Sequence, residues 1–252
     1  MTGARPSFAA AFGAVFTGQL ARARAGAIAI FMAATIQSVG LIVLLKGLVD
    51  TSSDVTEQSV VAGSSVTVVS FVALNLLAQR FGALKASGAL DYFGALPVSP
   101  AALVTATAAA WASFTVPGSI LVAVGGAMFY GLPLGAVWVI VPVVVLAGIA
   151  LPGLGALLGL AAPRQEIATV AGQLGMAAVM FLGLVPAHRL PEVVQGVRAV
   201  VPSTYAVDAF AAALKSSPRW STVGVDFGVC VGVCVLALAA SAWAFRRAVT
   251  SR

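Results

Sequence analysis

The sequence predicts an all-α integral membrane protein with six transmembrane helices and both termini on the cytoplasmic side. Three observations predict it. Hydrophobic residues fill 60% of the 252 positions and charged residues only 9%, where a soluble domain carries roughly 25% charged residues. The apolar residues fall into long runs broken by short polar segments, each run long enough to cross a hydrocarbon layer about 30 Å thick. The basic residues collect on alternate breaks. Arg5, Arg22, Arg24, Arg80, Lys85, Arg164, Arg246, Arg247 and Arg252 share one side with only two acids, Asp91 and Glu166, while six acids lie on the other. The excess of bases marks the cytoplasmic face.

Taken in order, residues 1–25 hold three arginines and no acid, with Phe8, Phe12, Val15 and Phe16 on one face. That pattern predicts an interfacial helix lying flat ahead of the first span. Spans are predicted at 27–49, 60–79, 101–130, 134–162, 167–186 and 223–245, in a single transmembrane domain covering 1–252. The first run is longer than a signal-peptide core. Pro117, Pro142 and Pro152 fall inside the third and fourth spans; a packed bundle tolerates them because neighbours satisfy the freed carbonyls. Gly131-Leu132-Pro133 is a tight turn without charge, and Pro163 to Glu166 make the next.

Two segments between spans are too polar to cross and too patterned to be plain turns. In Gly88 to Ser99, GALDYFGALPVS, Leu90, Phe93 and Leu96 recur at helical spacing with Asp91 off the stripe. Pro97 stops this short helix. Its stripe suits either a helix resting on the bilayer surface or one docking a partner protein. In 186–222, Leu190-Pro191-Glu192 opens one short helix and Pro202-Ser203-Thr204-Tyr205 another, because proline is favoured at helix starts. The second, running to Leu214, has a face able to dip into the bundle.

Six spans, Gly88-Ala89-Leu90-Asp91 … Leu96-Pro97-Val98-Ser99, and Leu190-Pro191-Glu192 … Pro202-Ser203-Thr204-Tyr205-Ala206-Val207-Asp208-Ala209 together resemble a type-2 ATP-binding-cassette export permease of the daunorubicin-resistance, drug-efflux kind. The resemblance implies that the cytoplasmic segment is a coupling helix seated on an ATPase subunit, through Leu90, Asp91, Tyr92, Phe93, Leu96 and Pro97. It implies an outer cap carrying Pro191, Glu192, Pro202, Tyr205 and Asp208. It further implies a dimer with a second permease chain, identical or related, with ATP and Mg²⁺ bound by the ATPase and no cofactor in this chain. Arginines common in the family are replaced here by Tyr92, Gly94 and Ala211.

The residues themselves narrow the chemistry. No G-x-x-x-x-G-K-[ST] phosphate loop occurs, so ATP hydrolysis is expected in a separate chain. An enzyme would need convergent acids, histidines or an activated nucleophile; the one histidine, His188, stands alone in the outer segment. Asp50, Asp54 and Glu57 lack the glycine turn of a calcium loop, and Cys230 and Cys234 read as small apolar fillers. Gln37, Asn75 and Gln173 are uncharged polar residues inside spans, either hydrogen-bonding across helices or lining an export path. No ionisable residue is placed mid-span, which argues against a proton-coupled carrier and for an apolar or amphipathic cargo, drug-like or lipid. Export of a lipid or glycan precursor, or a non-transporting scaffold, are the alternatives. The basic residues edge the apolar runs, which fits membrane lipid and excludes a nucleic-acid partner. Arginine far outnumbers lysine among the basic residues, a bias read as a high-GC bacterial genome and hence a bacterial cytoplasmic membrane.

Overall fold

The computed structural model describes residues 7–51, 56–88, 100–184, 191–215, 217–218 and 220–250. Helices account for nearly all of them, and no strand occurs among the described residues. The chain begins with α1 (Phe8–Thr51), started by the Ser7 hydroxyl accepting from the Ala10 amide. A separate interfacial helix was expected over the first 25 residues; from Phe8 onward these residues are instead the first turns of α1. The reason is local and tertiary. No proline interrupts Phe8 to Thr51, and Val15 and Gln19 already pack on the rest of the bundle. At 44 residues α1 is about 66 Å long, twice the hydrocarbon thickness, so its first half extends beyond the apolar window Ile28–Gly47.

The second span is a 30-residue rod, Glu57–Ala86, made of α2 (Glu57–Ser70), a π-helical turn (Phe71–Leu76) and α3 (Leu77–Ala86). Thr56 caps it, accepting from the Ser59 amide at 3.2 Å, and Glu57 places an acid in the first turn. It outruns the expected 60–79 at both ends because of this cap and because Lys85 is anchored at the other end. The rod is the centre of the molecule. Its most apolar window is 89% buried, against 22–56% in the other four helices long and apolar enough to cross a membrane.

α4 (Pro100–Tyr130) contains Pro117 and ends where Gly131, at φ 68°, turns the chain. The Gly131 and Leu132 amides bond back to Met128 and Ala127, a terminal motif that favours glycine at the positive-φ position. A 3₁₀ turn (Leu134–Val139) leads into α5 (Ile140–Ala161). Pro142 sits in the first turn of α5, and Pro152 lies inside it. α6 (Gln165–Leu184), α7 (Glu192–Val200), α8 (Pro202–Ala213) and α9 (Trp220–Thr250) follow. Within α9 the apolar stretch is Trp220–Leu236.

The largest core joins α2, the π-helical turn, α4, α5, α8 and the start of α9 through residues such as Val66, Leu74, Ala123, Leu151, Phe210 and Val223. Around the π-helical turn the helices touch backbone to backbone. A Cβ on Gly155 of α5 would run into the Ala73 carbonyl, and one on Gly172 of α6 would stand 2.7 Å from the Leu74 carbonyl oxygen. One turn on, a Cβ on Gly159 would meet the Ala78 oxygen at 2.5 Å. Gly155→Ala should therefore lower the unfolding midpoint of the detergent-solubilised chain, a cost of about 1–3 kcal/mol. Gly232→Ala, with nothing within 4 Å, should leave it unchanged. Size-exclusion after a heating series reads both, and an unshifted Gly155→Ala midpoint would contradict this packing.

Candidate functional site

The predicted site residues fall only partly within the described chain. Leu90, Asp91, Tyr92, Phe93, Leu96 and Pro97 lie outside the described residues. The helices flanking them are described: α3 ends at Ala86 and α4 starts at Pro100, so the connection leaves and re-enters at the end away from α7 and α8. Lys85 holds that end together, donating to the Leu160 and Ala162 carbonyls at 2.7 and 2.8 Å. An ammonium placed on the last carbonyls of α5 is favoured by the helix dipole.

At the other end α7 and α8 form a helical hairpin. α7 starts one residue after Pro191, and α8 starts at Pro202, whose missing amide hydrogen costs nothing at a first helical position. Thr204 ties the turn by donating to the Arg198 and Val201 carbonyls at 2.9 and 2.7 Å. α8 then inserts among α2, α5, α6 and α9, with Val207, Phe210, Ala213 and Leu214 fully buried. A Cβ on Gly183 would stand 3.2 Å from Val207, so α6 and α8 are in close contact here.

One polar link fixes this hairpin. Arg198 donates through Nη2 to Asp208 at 2.8 Å and through Nε to the Leu182 carbonyl at 3.1 Å. Arg198 is 11% exposed and Asp208 40%, so the guanidinium joins α7, α8 and the end of α6 in a mostly dry setting. Asp226 on α9 lies close enough to interact with both charges. Sequence reasoning selected Asp208 and missed Arg198. The signal was present: Arg198 is the one base on the strongly amphipathic α7, a short turn away from that acid. Glu192 and Pro191 are exposed, and Tyr205 is half-buried.

Lys46 lies over the Phe129 ring at 4.4 Å, and Trp138 stacks on Trp220 with both rings exposed. Such a belt of exposed aromatics and a lysine is typical of a membrane–water interface. The three polar span residues are not gathered on one wall. Asn75 is buried in the π-helical turn, accepting from the Gln79 amide group at 2.5 Å. Gln173 is exposed on α6, and Gln37 is half-buried on α1.

The hairpin geometry predicts labelling behaviour. In a Cys230→Ser/Cys234→Ser background, Glu192→Cys should react quickly with an impermeant maleimide added on the α7–α8 side, and Tyr205→Cys several-fold more slowly. Adding Arg198→Gln should speed Tyr205→Cys alone. Equal rates at the two positions would contradict an inserted α8.

Comparison with curated proteins gives no match. A family model described as ABC-2 type transporter matches residues 8–214, which takes in every helix from α1 to α8. With more than half of its length matched in the order the helices follow, the chain belongs to the ABC-2 type transporter family.

Proposed function

We propose that this chain, a membrane-embedded, multi-pass permease subunit of an ABC transporter, works as an exporter driven by ATP hydrolysed on a separate ATPase subunit, moving an apolar or amphipathic molecule, drug-like or lipid, out of the cytoplasm. The observation that carries this reading is the connection between α3 and α4. It follows the most buried rod of the bundle and carries the Leu90/Phe93/Leu96 stripe in its sequence, and the helix ends that flank it, Ala86 and Pro100, lie opposite the α7–α8 hairpin. On this reading Leu90, Asp91, Tyr92, Phe93, Leu96 and Pro97 seat the ATPase, which binds ATP and Mg²⁺, and the hairpin caps the outer mouth.

Six spans follow if α9 crosses as well. Its 31 residues reach about 46 Å, more than the hydrocarbon requires. Both termini are then cytoplasmic, as the distribution of bases supports, and the membrane is a bacterial cytoplasmic one. Exposed apolar faces on α1 (Ile28, Met32, Ile36, Val43) and α9 (Val225, Val235, Leu236) are surfaces for lipid and for a second permease chain. Among the described residues no charged side chain sits at mid-span, which favours a cargo without a buried counter-charge.

The test is co-purification with a co-expressed ABC ATPase subunit from the same genome. Phe93→Ala removes a central apolar anchor worth about 2–4 kcal/mol and should abolish pull-down while membrane insertion stays normal. Asp91→Ala should keep pull-down yet weaken stimulation of hydrolysis by cargo. Pro97→Ala should uncouple hydrolysis from export. Normal pull-down and normal coupled export by Phe93→Ala would return this segment to a surface-lying helix.

A further inference from the structure

Next to the α3–α4 connection the bundle carries an arrangement of charge that its own described side chains leave incomplete. Arg80 of α3 is half-buried, with its guanidinium 5.7 Å from the centre of the Trp111 ring of α4. Its Nη2 donates to Gln19 Oε1 of α1 at 3.3 Å. Its Nε is buried and has no hydrogen-bond partner, and the indole Nε1 of Trp111, in a residue only 9% exposed, has none either. Two orphan donors in one cluster are costly, because each has lost water without gaining an acceptor. The charge is uncompensated as well. Arg22 lies near enough to Arg80 for the two cations to repel, and among the described residues no carboxylate pairs with either. Lys85, five residues on, is committed to the end of α5.

Arg80 also lines an open groove of about 530 Å³, whose other walls are Ala83, Leu84, Ala86 and Ser87 of α3 and Gln165 at the start of α6. The groove is apolar along α3, apart from Ser87, and polar at Arg80 and Gln165. Its depth is set by the rod. Arg80 lies about 35 Å along the helix axis from Glu57, the level at which hydrocarbon gives way to headgroups. A guanidinium there, beside methyl and leucine side chains, matches a phosphodiester with its glycerol and upper acyl carbons. Arginine binds phosphate through paired N–H donors, and basic pockets between membrane helices recruit acidic headgroups.

We propose that Arg80 binds the phosphate of an anionic membrane lipid in the groove between α3 and α6. The phosphate accepts from the groove-facing side of the guanidinium, and a small turn of the side chain away from Trp111 brings the orphan Nε to it as well, which pins α3 beside α1 and α4. The placement on the cytoplasmic leaflet rests on the orientation proposed above; the binding itself does not, and it needs no ATPase.

The experiment uses the full chain alone, in detergent with added lipid, read by native mass spectrometry. The wild-type chain should retain one phosphatidylglycerol more strongly than phosphatidylcholine. Arg80→Gln should lower that retention about tenfold, Arg80→Lys less, and Arg22→Gln less again. Lys215→Gln, an exposed position at the other end, should have no effect. Thermal midpoints separate lost binding from lost folding: Arg80→Gln, which also loses the Gln19 and Trp111 contacts, should start from a lower midpoint in phosphatidylcholine, and the further rise on adding phosphatidylglycerol should be smaller than in the wild type. Displacement of the lipid by millimolar inorganic phosphate would assign the same donors to a soluble anion and overturn the lipid. Raised phosphatidylglycerol retention in Asp91→Asn would show that this carboxylate, eleven residues on in sequence, is the native occupant, and would overturn it too. So would equal retention of both lipids, or no loss in Arg80→Gln.

Discussion

Ala73 and Leu74 present their carbonyl oxygens to glycines of two neighbouring helices, and the rest of the bundle is arranged around that approach. In hydrocarbon no hydrophobic force draws helices together, because lipid tails are as apolar as leucine; close packing and polar contacts must do so. Gly155 and Gly172 supply the first, letting α5 and α6 reach the backbone of the rod where no Cβ fits. The π-helical turn Phe71–Leu76 lies at this seam. Such a turn widens the helix locally and shifts the register of everything beyond it, so the side chains of α3 face neighbours that an uninterrupted α-helix from Glu57 would have turned away from.

Polar contacts do their work at the two ends, where the bundle meets headgroups and water. At one end Arg198 holds α7, α8 and α6 together through Asp208 and the Leu182 carbonyl. At the other Lys85 holds α3 to α5, and Arg80 holds α3 to α1 and α4. The middle, by contrast, is joined by van der Waals contact; some hydroxyls there turn back on their own helix, and Thr35, Ser38, Ser64 and Ser119 make no hydrogen bond at all. Ser65, Thr67 and Ser70 each donate to a carbonyl four residues earlier. A seam held only by packing has no directional bonds to break when one helix moves along another.

Much of this fold was legible because a membrane span announces itself by length and apolarity alone. The runs over 101–130, 134–162 and 167–186 lie within a few residues of α4, of the 3₁₀ turn with α5, and of α6. The prolines at 191 and 202 marked the starts of α7 and α8 because helix starts tolerate a missing amide hydrogen. What the sequence could not show was which span lies in the centre. The most apolar 18-residue window of the rod Glu57–Ala86 has a mean hydropathy of 2.0, below those of Ile28–Gly47 or Leu134–Ala161, yet it is by far the most buried. Apolarity measures exclusion from water, and lipid excludes water as well as protein does. Small residues marked the centre instead: Gly63, Ser64, Ser65, Thr67 and Ser70 are all buried on the rod. The interfacial helix expected before the first span failed for a related reason. A face of Phe8, Phe12 and Phe16 reads the same whether it meets lipid headgroups or continues a longer helix whose next turns, at Val15 and Gln19, meet protein.

The same physics explains why a site residue on this protein was easier to guess at the α7–α8 end than at the other. Asp208 stands in a segment already marked as too polar to cross, so an acid there invites a search for its base. Arg80 follows an apolar run and reads as a charge that ends a span, a role in which its side chain would simply reach for water. Position alone does not separate those roles; neighbours do. Trp111 and Gln19 come from helices distant in sequence, and they take up one face and one nitrogen of the guanidinium while leaving Nε buried without an acceptor. A span-ending arginine in water leaves no such orphan. On the reading of α3–α4 as the connection that meets the ATPase, this cluster lies at the root of that connection. Whatever anion completes it then bears directly on how firmly α3 is held when the connection is pushed.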